Sequence, residues 1–246
     1  MERVIGQWKK NDPRIIYRGE SPTRLDNLTD AVFGIAITLL IFNITNPNSF
    51  DTLLNFTKTF PAFLISIIIL MLFWNEHASF SRMYGLNEFA FKVINVAFIS
   101  LIIFYVYPLR FLSLVLSEFY FRLDLDAQLD PMRMPDLMIY YGFVAAALYL
   151  TIFFFYEMAV RRKDLLELSE YELFLTRYQR TRMILMLAVP CISILLAFSL
   201  KFASITWASI LSGMAYGLYV PTIMIWSKKF KLRKEELLQN DLKNDD

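Results

Sequence analysis

Four ionisable side chains border the long uncharged stretches of this 246-residue chain: Asp30, Glu76, His77 and Glu157. Charged groups are costly inside a bilayer, so any that lie at the ends of apolar runs are the first candidates for function. The chemistry open to them is narrow. His77 is the single histidine and Cys191 the single cysteine, so one chain cannot assemble a multi-histidine or thiolate metal site, nor an intramolecular disulfide. No carboxylate pair, no nucleophile beside a base and no glycine-rich phosphate loop can be picked out, which argues against hydrolytic and nucleotide-dependent enzymes. None of the four falls in the middle of an uncharged run, where a coupled transporter would hold its relay. We expect a non-enzyme that needs no cofactor and no structural metal.

The elements that must position these residues follow from composition. The chain is 57% hydrophobic and 20% charged, with a mean hydropathy of +0.43. A soluble domain would spread that charge as a coat. Here it is segregated, leaving uncharged runs near 29–46, 56–75, 93–117, 137–158, 183–200 and 202–226. Their length is that of bilayer-spanning helices, and they lack the period-two alternation of barrel strands. The expected fold is an all-α integral membrane protein with six transmembrane helices. A terminal segment 1–20 precedes the membrane domain 21–226, and a tail 227–246 follows it. Pro108 in the third span is expected to bend the helix without ending it. Lys201 leaves room for only a tight hairpin between the fifth and sixth spans. Residues 1–28 are polar and carry no apolar leader stretch, so the first span is expected to insert as a permanent helix.

Orientation follows from the basic residues. Twenty of the 25 Lys and Arg fall in the N-terminal segment, the second-to-third loop, the fourth-to-fifth loop and the tail. The positive-inside rule makes that side cytoplasmic, with both termini on it and the chain a multi-pass protein of the cell membrane. The third-to-fourth loop is acidic and faces outward. Segment 164–182 reads as an amphipathic helix leading into the fifth span, and the tail as a helical extension.

The first span is unusual. Ser21 can cap it, with Pro22 at the first helical position. Arg24 and Asp30 lie six residues apart, on different faces, so each should meet another helix. Beyond them one face carries Ala31, Ile35, Thr38, Leu39 and Phe42. From periodicity alone such a stripe reads first as a packed helix interface; the sharper reading is a pore wall, where apolar rings gate by dewetting.

The stretch Arg24-Leu-Asp-Asn-Leu28-Thr29-Asp30 resembles the Arg-x-x-x-Phe-Ser-Asp signature of the transmembrane protein 175 family of potassium channels, with Leu28 for Phe and Thr29 for Ser. The resemblance extends to Trp74-Asn-Glu-His77 and to Asn95 followed by Pro108. It matches the single-repeat, prokaryotic form of that family. It implies a passive, potassium-selective channel without a Thr-Val-Gly-Tyr-Gly filter, a run this sequence does not contain. It further implies a homotetramer in the lipid bilayer, with potassium ions as cargo and no nucleic-acid partner, and the first helix lining a central pore. On this reading Ile35 is the gate, Leu39 and Phe42 stack apolar rings beside it, and Thr38 contributes to selectivity. Arg24, Thr29, Asp30, Trp74, His77 and Asn95 would form a supporting network. Because the second span ends on the side where the first begins, Arg24, Asp30 and His77 are expected in one polar cluster. A secondary transporter and a non-conducting membrane scaffold are the competing classes.

Overall fold

The structure is a computed structural model that describes residues 14–42, 49–121 and 130–230. Every regular element among these is helical. In chain order they are α1 (Arg24–Phe42), α2 (Phe50–Lys58), α3 (Phe60–Tyr84), α4 (Phe89–Phe121), a 3₁₀ turn (Pro131–Arg133), α5 (Met134–Arg161), α6 (Glu170–Leu200), α7 (Ile205–Ala215) and a second 3₁₀ turn (Tyr216–Leu218). Residues 219–230 are helical again. Among the described residues, five stretches are long and apolar enough to cross a membrane: Phe63–Tyr84, Phe89–Leu112, Pro131–Arg161, Glu170–Leu200 and Ile205–Phe230.

The helices overrun the apolar runs that mark them. Hydropathy ends where side chains turn polar, whereas backbone hydrogen bonding ends only where a cap stops it. Thus α3 continues to Tyr84 and stops at Gly85, whose φ of 57° places it in the left-handed region. The amphipathic segment expected before the fifth span is not a separate element. It begins in turns and then joins that span as one 31-residue helix, α6, opened by a capping box between Ser169 and Glu172. The sixth span is interrupted by the turn at Tyr216–Leu218. The short α2 has no counterpart in the hydropathy pattern. Residues 43–46 of the expected first span, and the tail beyond 230, lie outside the described residues.

The cap of α1 is Thr23, not Ser21. Its hydroxyl accepts from the Asp26 amide at 3.2 Å, and Asp26 Oδ2 accepts in return from the Thr23 amide at 2.7 Å. This reciprocal pair satisfies two of the free donors at a helix start, which one serine two residues upstream cannot do. At the other hairpin, Ser204 caps α7 and its amide donates to Leu200 O at 2.8 Å. The turn is as short as Lys201 suggested. Pro108 sits within a continuous α4, where Tyr141 of α5 donates its hydroxyl to the Pro108 carbonyl at 2.5 Å.

The core lies where α1, α3, α4 and α5 meet. Phe33 of α1 and Phe98 of α4 have ring centroids 6.1 Å apart, and Phe155 of α5 packs against Phe80 of α3 at 5.3 Å. Against this group α1 turns Val32, Phe33, Ala36 and Leu40. The α5–α6 pair is drawn together at Gly142, where a Cβ would come within 2.4 Å of Ile194 Cγ1. In lipid the gain comes from close packing, and small residues permit it. Gly142→Ala should therefore lower stability by about 1–3 kcal/mol, the usual cost of overpacking. Gly213→Ala, where a Cβ meets nothing within 4 Å, should not. Thermal unfolding of both variants in detergent checks the contrast, and equal behaviour would mean that the α5–α6 contact yields freely.

Candidate functional site

Three helices place one polar side chain each into the core. Thr29 of α1, Asn95 of α4 and His77 of α3 are all buried. Thr29 donates its hydroxyl to Leu25 O one turn back at 2.9 Å, and that leaves its oxygen free to accept. Asn95 Nδ2 donates to this oxygen at 2.9 Å, which fixes the amide's orientation. Asn95 Oδ1 then faces His77 Nε2 at 2.7 Å. An amide oxygen only accepts, so the proton lies on Nε2 of the imidazole. The ring is held flat by Phe98, stacked at 5.6 Å, and by the edge of Phe155 at 5.7 Å. Each bond in this chain matches a donor to an acceptor, as a low-dielectric interior demands.

The remaining members of the expected network are distributed differently. Trp74 of α3 donates its indole N–H to Asp30 Oδ1 at 2.8 Å, on an exposed part of the surface. Arg24 is exposed, and among the described residues no hydrogen bond or ion pair ties it to Asp30 or His77. The six residues thus form a buried trio, an exposed pair and a lone cation, rather than one cluster. Helical geometry accounts for the split: a six-residue offset turns Arg24 and Asp30 onto separate faces. Two partners were missed from the sequence. Asp26, buried at the start of α1, accepts from the Ser81 hydroxyl of α3 as well as from Thr23. The Thr-x-x-Asp spacing before an apolar run was its available signal.

Glu76 and Glu157 are engaged in ion pairs. Glu76 accepts from Tyr156 at 2.8 Å and from Arg182 at 2.5 Å. Glu157 accepts from Arg161 and Arg180. The Arg182 and Arg180 contacts tie α3 and α5 to α6, and no sequence spacing announces them; Arg161 pairs with Glu157 within α5 at i,i+4. Among the described residues no three His, Cys, Asp or Glu side chains gather into a metal site.

The stripe on α1 divides. Ala31, Gly34, Ile35 and Thr38 are exposed, Ile35 by 55%. Leu39 is half-buried against the core, and the side chain of Phe42 lies outside the described residues. Gly34 has open space where a Cβ would stand. Thr38 donates its hydroxyl to Gly34 O at 2.8 Å, the backbone habit common to membrane threonines. That bond spends the proton and turns the oxygen lone pairs outward, so Thr38 offers an uncharged acceptor on an otherwise apolar face.

Comparison with known proteins meets this geometry. The family described as endosomal/lysosomal potassium channel TMEM175 matches residues 24–108, the stretch that supplies Thr29, His77 and Asn95. A potassium channel of Marivirga tractuosa is 31% identical over 247 residues, covering 97% of this chain and 98% of the relative. The crystal structure of the potassium channel MtTMEM175, a T38A variant bound to a nanobody–MBP fusion, is similar with a TM-score of 0.81 and 31% identity, over 89% of this chain and 98% of that one. The chain belongs to the TMEM175 family of potassium channels. It is a multi-pass membrane protein with an all-helical fold, and in this TMEM175 protein the buried trio joins α1, α3 and α4, three of the four helices that the family match reaches.

Removing Asn95 should be expensive in this setting. Asn95→Leu strands both His77 Nε2–H and a share of Thr29, and each buried group left unpaired costs about 1–3 kcal/mol. Trp74→Phe removes only an exposed bond and should cost under about 1 kcal/mol. Unfolding of the two variants in detergent, followed by circular dichroism, should rank Asn95→Leu well below Trp74→Phe. The opposite ranking would place the stability of this TMEM175 fold elsewhere.

Proposed function

We propose that the chain forms a passive, potassium-selective channel, a homotetramer whose four copies of α1 surround the conduction path. The observation that carries this reading is the two-sidedness of α1. One face is buried against a core filled with aromatic rings, and the opposite face, Ala31, Gly34, Ile35 and Thr38, is left exposed by the described residues. A filled core offers ions no route, so a path must run between copies, along a face that one copy leaves uncovered. The potassium-channel names of its relatives agree with this. Six spans, with α1 as the first, would set both termini in the cytoplasm of a cell whose plasma membrane holds the channel, flanked by segments 1–20 and 227–246.

Within such a pore Ile35 supplies the narrow apolar ring; Leu39, half-buried on the packed flank, borders it from the side, and Phe42 adds a ring nearer the end of α1. Such a ring conducts only when wet, which makes it a gate. Ions shed part of their water there, and bare desolvation is far too costly to go uncompensated. Four Thr38 oxygens would offer that compensation without a charge that traps the ion. Potassium surrenders water more cheaply than sodium, so weak neutral ligands favour it.

Reversal potentials of purified protein in planar bilayers test the proposal. A Nernstian shift in a potassium gradient is expected; dependence on a coupled ion would make the protein a transporter, and silence a scaffold. Ile35→Asn should wet the constriction and raise basal conductance. Thr38→Ala should keep the current but move the potassium/sodium reversal potential towards zero under biionic conditions. Wild-type conductance in the first variant would remove Ile35 from the pore, and an unchanged reversal potential in the second would leave pore size as the sole discriminator.

A further inference from the structure

The segment before α1 is strapped to the rest of the chain by contacts that the site above does not use. Residues 16–19 cross the C-terminal end of α3 and the N-terminal end of α6. On the α3 side, the Arg18 and Gly19 amides donate to Met83 O at 3.3 Å and Arg82 O at 3.0 Å. The backbones run so close that only glycines fit: a Cβ on Gly19 would stand 2.1 Å from Ser81 O, and one on Gly85 2.6 Å from Arg18 O. On the α6 side lies Glu172, wholly buried. Its Oε1 accepts from the Ile16 amide and from Arg18 Nη1, both at 2.9 Å, while Oε2 accepts from Arg18 Nη2 and the Ser169 amide, both at 3.0 Å.

A capping box requires one carboxylate oxygen. The second oxygen of Glu172 serves the strap alone, and the planar guanidinium of Arg18 meets the carboxylate through both nitrogens, the strong bidentate form. Arg18 also donates to Glu167 O at 3.1 Å; Glu167 is the one described non-glycine residue with positive φ, at 48°. Arg82 lies over the Tyr17 ring at 4.7 Å, and Arg14 over Tyr171 at 4.5 Å. Only residues 20–22 separate this strap from the Thr23 cap, a reach of about 14 Å at most. The start of α1 therefore cannot shift far unless the strap lets go. α1 itself packs on α3 and α4, so the strap is its tie to α6.

We propose that Arg18 and Glu172 are positioning residues for conduction: a latch that holds the N-terminal end of α1 back against the bundle and so sets the width of the pore it lines. This rests on the reading of α1 as the pore wall. With the latch released, the four α1 ends lean inward and the path narrows.

The test uses the full chain in liposomes, with Arg18→Met, Glu172→Gln and their double variant. Glutamine keeps the capping box through its oxygen, while its amide nitrogen, a donor, replaces the charged acceptor that Arg18 and the Ile16 amide share. Each single variant should lower potassium flux at least threefold, and the double should be no worse than either single, since both break one interaction. The potassium/sodium reversal potential should stay put, because Thr38 and Ile35 are untouched. A spin label at Asn27→Cys in a Cys191→Ser background should become more mobile in all three variants. Arg18→Lys, which keeps the charge and loses the fork, should give an intermediate line shape even if Arg18→Met fails to fold. An immobile label, or additive losses in the double variant, overturns the latch. A starting protein that carries no potassium flux overturns the conduction reading instead, while label mobility still decides whether the pair positions α1.

Discussion

The rotation of α1 about its own axis is set by one buried amide. Asn95 has two hydrogen-bonding ends, one on Thr29 and one on His77, and in a low-dielectric interior neither can be left idle. Thr29 must therefore face the bundle. At about 100° per residue, Thr38 then falls about 180° from Thr29, with Ala31 and Gly34 within about 40° of that direction and Ile35 about 60° from it. Those are the exposed positions. Leu39 falls about 80° from Thr29, on the packed flank, where the structure half-buries it. A single polar contact on one face thus decides which side chains the other face displays.

The same bookkeeping of polar groups explains what was legible in the sequence. Apolar runs are visible because lipid demands them, and they located the helices of the third to fifth spans well. The motif residues on α1, α3 and α4 were legible through their resemblance to a family, and three of them meet in the buried trio. Arg24 stands apart because the motif's spacing distributes its members around the helix. Leu39 was assigned to the exposed stripe by a periodicity too coarse to separate a face from its flank.

What could not be read is what depends on distant partners. Arg182 with Glu76, Arg180 with Glu157 and Arg18 with Glu172 join positions 23 to 154 residues apart. In the sequence each arginine counts only as one more basic residue of a polar segment. The continuation of α6 from its polar start into its apolar half was hidden for a related reason. Hydropathy falls off there, but the capping box at Ser169 and not the hydropathy sets where the helix begins.

These arginine pairs share one helix, and that determines how force can travel. Glu172, Arg180 and Arg182 all lie on the N-terminal half of α6, and they grip the strap, α5 and α3 respectively. The apolar half of the same helix closes on α5 at Gly142 and on α7 through the Ser193 hydroxyl, which donates to Ser212 O at 2.9 Å. The 31-residue helix is a continuous rod about 46 Å long, with Pro190 inside it, where one backbone hydrogen bond is lost. Its contacts fall on both sides of Pro190, with the strap, α5 and α3 gripped before it and α5 and α7 after it. The strap joins that rod to the start of α1, whose rotation Asn95 has already fixed. Position along one helix and rotation about another are thus set by two separate polar contacts, and only together do they define where the uncovered face of α1 points.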